Sequence, residues 1–519
     1  MQASAAPNLL TAYLERLDGA SPDPGVTAYY AALDQVAAGS PSIAAAIVRE
    51  LWDQRHNVKL IASENYCSLA TQMAHGNLLT DKYAEGYPGH RFYAGCDNID
   101  TIESEAARLA CELFGAEHAY VQPHSGADAN LVAFLAILSA VVEKPLLEEI
   151  GETNPTLVER AAWQKVREAM TSQRMIALDY YSGGHLTHGY RFNISSFLFD
   201  AHSYSVDPAT GLLDLDQVRE RVLEVKPRLL LTGYSAYPRA INFAKMREIA
   251  DEVGAVFMVD MAHFSGLVAG KVFTGDYDPV AHAHIVTSTT HKTLRGPRGG
   301  IVLSTKEFAE WVDKGCPAVI GGPLPHVMAA KAVAFREASQ PAFRDYAAKV
   351  VENARALAAA LIENGLSVAT GGTDNHIVLV DVAGLGITGR QAESALRRCG
   401  FTLNRNALPE DPNGPWFTSG LRLGTAAVTT LGMGTDEMRE IAAILGEVLP
   451  KVEPELIAKG KKAGKPSRGR FKLADAVATA ARSRTEELLG SYPVYPQIDM
   501  DILLTAPWAE LDAASAVTV

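Results

Sequence analysis

Short apolar runs alternate with helical patterns along this chain, and each run breaks into a turn of small or polar residues. Ala119–Gln122, Met175–Leu178, Arg228–Thr232, Ala255–Asp260 and Ile285–Thr290 are aliphatic or β-branched and read as buried strands. Stretches of helical period, such as Leu212–Lys226 and Phe243–Val253, fall between them. This alternation predicts an α/β fold: a mostly parallel sheet covered on both faces. Ligands of such sheets bind at the carboxyl ends of the strands, so the turns after these runs are where chemistry is expected.

Ile285–Gly300 ends its run at His291-Lys292 and then turns through Gly296, Pro297, Gly299 and Gly300. A lysine at the end of a buried strand is poorly hydrated, which favours its neutral amine. A neutral amine condenses with aldehydes, and pyridoxal phosphate is the aldehyde coenzyme that uses such a lysine. By itself the stretch suits a surface lysine in a polar turn equally well. Asp260 shifts the balance. It closes the preceding run, with His263 just after it, and a carboxylate against the pyridine nitrogen is what this coenzyme needs to act as an electron sink. The turn Pro123–Ala127 leads from a strand into a helix, so free N–H groups around Ser125, Gly126 and Ala127 form a candidate phosphate cradle. Gly183-Gly184 lets the backbone approach a ligand closely, and the imidazole of His185 beside it can stack on a pyridine ring. Arg422 lies on a strand of alternating pattern, and its guanidinium fork matches a carboxylate. The turn-rich segment Asp81–Asn98 carries Tyr83, Glu85 and Tyr93; it reads equally as a setting for oriented hydroxyls and a proton carrier or as a loop packed on its own aromatics.

Composition excludes some classes. With 519 residues and a net charge of -13, binding of nucleic acid by the whole surface is not expected. The basic segment Lys459–Lys472 reads as a solvated linker, with an RNA-binding tail as the weaker alternative. Five scattered cysteines form no C-x-x-C pair, which argues against a disulfide framework or a zinc site and suits a reducing cytoplasm; no metal is expected. The start of the sequence has no basic n-region, so no signal peptide is expected. Leu131–Val142 is too short to span a bilayer and reads as a core helix. Asp100–Glu103 has the form of a capping box at a helix start.

Several motifs together resemble the serine hydroxymethyltransferases. They are LIASEN at Leu60–Asn65, YAEGYPG at Tyr83–Gly89, VDMAH at Val259–His263, and Thr290-His291-Lys292 followed by GPRGG. The resemblance covers roughly residues 40 to 450. It implies a pyridoxal-phosphate-dependent transferase of fold type I, the aspartate aminotransferase fold, with a large mostly parallel-sheet domain and a smaller carboxyl-terminal α+β domain. The boundaries it suggests are an amino-terminal arm and helix (1–55), a large coenzyme-binding domain (56–340) with an insertion at about 143–174, a small domain (341–450) and an extension (451–519).

The implied reaction moves the hydroxymethyl carbon of L-serine to tetrahydrofolate, giving glycine and 5,10-methylenetetrahydrofolate. The alternative is a folate-independent threonine or allo-threonine aldolase. By resemblance, Lys292, Glu85, Asp260, His185 and His291 are catalytic. The coenzyme set is completed by Ser125, Gly126, Ala127, Ser235 and His263, with Tyr83 and Gly322 serving a partner subunit. Ser63, Tyr93 and Arg422, with Glu85 and His263, face the amino acid substrate, and Tyr180, Gly184, Leu186, Gly414, Pro415 and Trp416 face folate. Shared sites imply a homodimer. Four positions depart from the family pattern: Phe92 for a tyrosine, Ala127 for a serine, Tyr180 for a leucine and Trp416 for a phenylalanine.

Overall fold

The computed structural model describes residues 8–460 and 463–509. Its centre is a seven-stranded sheet of β1 (His118–Tyr120), β2 (Arg174–Leu178), β3 (Asp200–Tyr204), β4 (Leu229–Gly233), β5 (Val256–Asp260), β6 (Ile285–Thr289) and β7 (Gly300–Ser304), in the order β1-β7-β6-β5-β4-β2-β3. Only β7 runs against its neighbours. Every residue of β4, β5, β6 and β7 is buried, which explains why these strands read as continuous apolar runs rather than alternating ones.

One face of the sheet is covered by the helix Gly126–Leu138, whose Val132, Phe134 and Ile137 enter the core with Met175, Leu231 and Met258. Gly126–Ile150 is long and apolar enough to cross a membrane by length and composition. Here its first part packs on the sheet instead, and the helices Lys144–Ile150 and Arg160–Thr171 of the insertion follow.

The 23-residue helix Pro341–Glu363 leads to a second, antiparallel sheet of Ser367–Val368, Ile377–Asp381, Gly420–Gly424 and Asn404–Asn406. Leu357 and Leu361 from this helix join its core. Val58–Lys59 pairs in parallel with Phe401–Thr402, so the chain passes this smaller layer before entering the large sheet. The apolar run Val58–Ser63 reads from sequence as one strand, but only Val58–Lys59 pairs.

Three segments differ from their sequence reading. Composition does not suggest the helix Pro24–Gly39, which starts with a proline in its first turn and an Asp23 side chain capping Val26 N–H. It buries Val26, Tyr30 and Leu33 against Val494, Ile498, Ile502 and Leu503 near the other end of the described chain. Arg55 fastens the two ends by donating to the carbonyls of Val494, Tyr495 and Ile498. The basic segment expected as a linker is half of a ribbon, Glu453–Leu456 paired with Pro466–Lys472; Lys461 and Lys462 lie outside the described residues. Finally, the helix at the capping-box motif begins earlier, at Asp97, and Glu103 is buried within it as the partner of Arg91 and Gln122. The final stretch reads from sequence as a frayed end; from residue 510 on it lies outside the described residues.

Candidate active site

A cavity of about 670 Å³ opens where the carboxyl ends of the strands meet the smaller layer, within the size range of small-molecule sites. β5 delivers Asp260, which sits opposite Gly233 of β4 and Thr287 of β6. β6 leads directly to His291 and Lys292, and all three side chains line the cavity.

Asp260 is buried and richly donated to. Asn130 Nδ2 reaches its Oδ2 at 2.8 Å, His188 Nε2 lies 3.2 Å from the same oxygen, and the Ala262 N–H donates to Oδ1 at 3.0 Å. Burial would raise this carboxyl, but His188, His185 and Asn130 outweigh it and hold the group well below the usual carboxylate range. Asn130 is itself oriented: it donates to Thr187 Oγ1 at 2.7 Å, and its Oδ1 accepts from Thr287.

The Lys292 amine behaves in the opposite sense. Its Nζ donates to Thr289 Oγ1 at 3.1 Å, and burial lowers its pKa to about 8 although Asp260 pulls it upward. Burial also keeps the ring nitrogens around it neutral: His185 falls to about 4, His291 and His376 to about 3, and His263 well below its usual value. Arg422 reaches the cavity from the antiparallel sheet. It donates to the Ser235 carbonyl at 2.7 Å and to Asn404 Oδ1 at 3.1 Å, and no carboxylate pairs with it among the described residues. Burial lowers it to about 10. A buried guanidinium without a counter-ion is a receptor for an incoming carboxylate.

At the other end of the cavity the helix Gly126–Leu138 begins. The Ser125 hydroxyl caps Asp128 N–H, while the N–H groups of Gly126 and Ala127 have no acceptor among the described residues. A Cβ on Gly126 would lie 2.7 Å from Thr289 Cγ2, so only glycine lets the cradle close onto the lysine strand. Behind the cradle, Lys331 is 1% exposed and donates to the carbonyls of Val121, Pro123 and Gly300 at 2.6, 2.9 and 2.8 Å. It ties β1 and β7 together where they approach the cradle.

Ser63, Tyr180, Gly184, Leu186, Ser235, His263 and Pro415 also line the cavity. A Cβ on Gly184 would lie 2.0 Å from the Leu178 carbonyl oxygen, so this glycine is required by backbone crowding, whatever its ligand. Other expected residues lie elsewhere. Tyr83 (56% exposed) and Tyr93 (48% exposed) pack edge to face at 5.1 Å on an outer loop, with Glu85 between them in sequence. Gly322 belongs to that group, since a Cβ there would meet the Tyr83 ring at 2.9 Å. Tyr93 therefore does not stand beside Arg422 of its own chain. Gly414 is in the left-handed region next to Pro415, and Trp416 (69% exposed) faces a neighbouring groove rather than the cavity.

Sequence reading missed Asn130, His188, Lys331 and His376. His188 had a usable signal, three residues after His185 in a glycine-flanked turn. His376 had none: its ring stacks on His263 at 5.6 Å from a segment 113 residues away.

These features fit pyridoxal phosphate: two free N–H groups at a helix start for the phosphate, an ionised buried carboxylate for the ring nitrogen and a readily neutral amine for the aldehyde. Fold and site together define a pyridoxal-phosphate-dependent enzyme of fold type I. The family profile described as serine hydroxymethyltransferase matches residues 36–145 and 160–445, and the chain belongs to that family. A serine hydroxymethyltransferase of Treponema pallidum is 60% identical over 476 residues, 92% of this chain and 82% of its own length. That of Cutibacterium acnes is 55% identical over 474 residues, 91% of this chain and 96% of its own. That of Chlamydia trachomatis serovar D is 48% identical over 499 residues, 96% of this chain and all of its own. This last alignment takes in most of what the profile leaves out at either end.

Proposed function

We propose a division of labour within this cavity for the reaction of the family. The chain is an enzyme that transfers the hydroxymethyl carbon of L-serine to tetrahydrofolate, giving glycine and 5,10-methylenetetrahydrofolate, with pyridoxal phosphate as cofactor. The coenzyme, when bound, supplies the sink for the electron pair of the breaking Cα–Cβ bond.

Lys292 would hold the coenzyme through its aldehyde, with the amine that burial makes readily neutral. Gly126 and Ala127 N–H groups, with Ser125, bind the phosphate; the lost hydroxyl at Ala127 leaves the backbone donor in place. Asp260 keeps a proton on the ring nitrogen, because an ionised carboxylate in a dry site favours the pyridinium form. His185, held neutral, stacks on the ring without adding charge. Arg422, held by the Ser235 carbonyl, would pin the substrate carboxylate and so fix the orientation of the amino acid, with Ser63 and His263 on the substrate side and Ser235 on the coenzyme side. His291, half-buried with a covered Nδ1 that has no partner among the described residues, is a candidate for a proton relay next to Lys292. Tyr180, Gly184, Leu186, Gly414, Pro415 and Trp416 form the tetrahydrofolate side.

Glu85 takes the proton of the serine hydroxyl, from a partner subunit. Tyr83 and Tyr93 are exposed, Glu85 and Gly322 beside them are half-buried, and none of the four lines its own cavity, which supports a homodimer in which each chain completes the other's site. We assign the enzyme to the cytoplasm. The large domain is taken as 56–340 and the small as 341–450, flanked by 1–55 and 451–519.

The observation that carries this assignment is the meeting of Lys292, Asp260 and a carboxylate-free Arg422 in one cavity. Absorbance titration of the holoenzyme with glycine, with and without tetrahydrofolate, tests it. A visible spectrum that tetrahydrofolate alters supports the transferase; glycine formation from serine that ignores added tetrahydrofolate would sink it. Borohydride reduction followed by mass measurement tests Lys292: a coenzyme adduct is expected on the unaltered chain and none on Lys292→Ala.

A further inference from the structure

We propose that Arg468, contributed by the Pro466–Lys472 strand of the carboxyl-terminal ribbon, is a positioning residue for tetrahydrofolate. The proposal rests on the assignment of the Gly414–Trp416 loop to the folate side. The ribbon lies beyond the residues that the family profile matches, yet it is anchored against the wall of the active site. Thr388 Oγ1 donates to the Arg468 carbonyl at 2.7 Å, and Gln391 Nε2 donates to the carbonyls of Ser467 and Arg470 at 2.7 and 2.8 Å. Thr388 and Gln391 form the capping box of the helix Gly389–Arg398, so the ribbon docks on a rigid helix start.

From that anchorage the Arg468 side chain reaches the loop twice. Its Nη2 donates to Asn413 O at 2.6 Å and to Asn413 Oδ1 at 2.7 Å, and its guanidinium lies 4.6 Å from the centre of the Phe417 ring. Asn413 and Phe417 bracket Gly414, Pro415 and Trp416. Asn413 is otherwise held by Asp411 and Ser419 among the described residues. The Phe417 and Thr418 N–H groups close the turn onto the Gly414 carbonyl, so Arg468 ties an already formed turn to the ribbon. Pro415 lines the cavity, and Arg405 and Glu393 line both the cavity and the groove beside the ribbon. Charge-assisted bonds from one guanidinium nitrogen to the backbone and side chain of Asn413, with the ring contact at Phe417, are the kind of contact that fixes a binding loop before its ligand arrives.

The test compares Arg468→Ala, Arg468→Lys and Trp416→Ala in steady-state kinetics. Arg468→Ala is expected to raise KM for tetrahydrofolate about tenfold. It should leave KM for serine, the thermal midpoint and the folate-independent cleavage of a β-hydroxy amino acid unchanged. Arg468→Lys should fall between, since an ammonium can donate to Asn413 but lacks the planar group that stacks on Phe417. If Trp416→Ala raises KM for tetrahydrofolate and Arg468→Ala does not, the positioning role is overturned while the folate-side assignment stands. If neither does, that assignment fails as well.

Discussion

Lys292 carries the pH dependence of coenzyme capture. Burial lowers its pKa to about 8 from the ordinary 10.5, so the neutral, nucleophilic form appears at lower pH than on a surface lysine. For the chain freed of coenzyme, covalent capture of pyridoxal phosphate should speed up about tenfold per pH unit below that point and level off above it. Timed borohydride trapping measures this; a rate still climbing at the same slope to about pH 10 would mean an ordinary lysine. Lys331 titrates differently because its role is structural. Burial lowers it to about 7, but donation to three carbonyls uses all three N–H groups of the charged form and opposes that shift. Lys331→Met should lose about 3 kcal/mol or more in denaturant unfolding, from three orphaned carbonyls. Residues whose meaning lies in one strand end, such as Asp260 and Lys292, could be read from sequence. Asn130 and Lys331 could not, because an asparagine or lysine inside a helical pattern gives no sign of what it will face across the core.

Among the elements, those fully buried on both sides were the most legible. β5 and β6 show uninterrupted apolar runs, and their ends follow at once. The ribbon of Pro466–Lys472 escaped notice because its residues alternate between exposed and half-buried, and lysine and arginine on an edge look like a solvated tail. The helix Pro24–Gly39 escaped for a similar reason: its burial depends on Val494–Leu503, far along the sequence. The Gly126–Leu138 helix start has a definite requirement. Gly126→Ala would drive a methyl into Thr289 on a buried strand, so coenzyme affinity should fall by at least about tenfold and stability by about 1–3 kcal/mol. Coenzyme titration and thermal melts measure the two effects; an unchanged dissociation constant would remove Gly126 from the cradle.

On the scale of the whole molecule, the proposed sharing of sites makes activity a property of pairs of chains. Glu85→Ala and Lys292→Ala should each be inactive alone. Mixed, dissociated and reassembled, they should recover roughly a quarter of the original activity, since half the random pairs contain one intact combination. No recovery, with mixed pairs verified by mass, would put Glu85 and Lys292 to work within the same chain.

The packing of Val26, Tyr30 and Leu33 on Val494, Ile498, Ile502 and Leu503 has a consequence for biosynthesis. A ribosome releases the early helices several hundred residues before it makes the segment that covers them. Until then Tyr30 and its neighbours stay wetted, attractive to chaperones and to other nascent chains. A message cut short after the catalytic cavity is encoded would yield a product with a stored adhesive surface, and quality control could recognise incomplete translation at the opposite end of the chain.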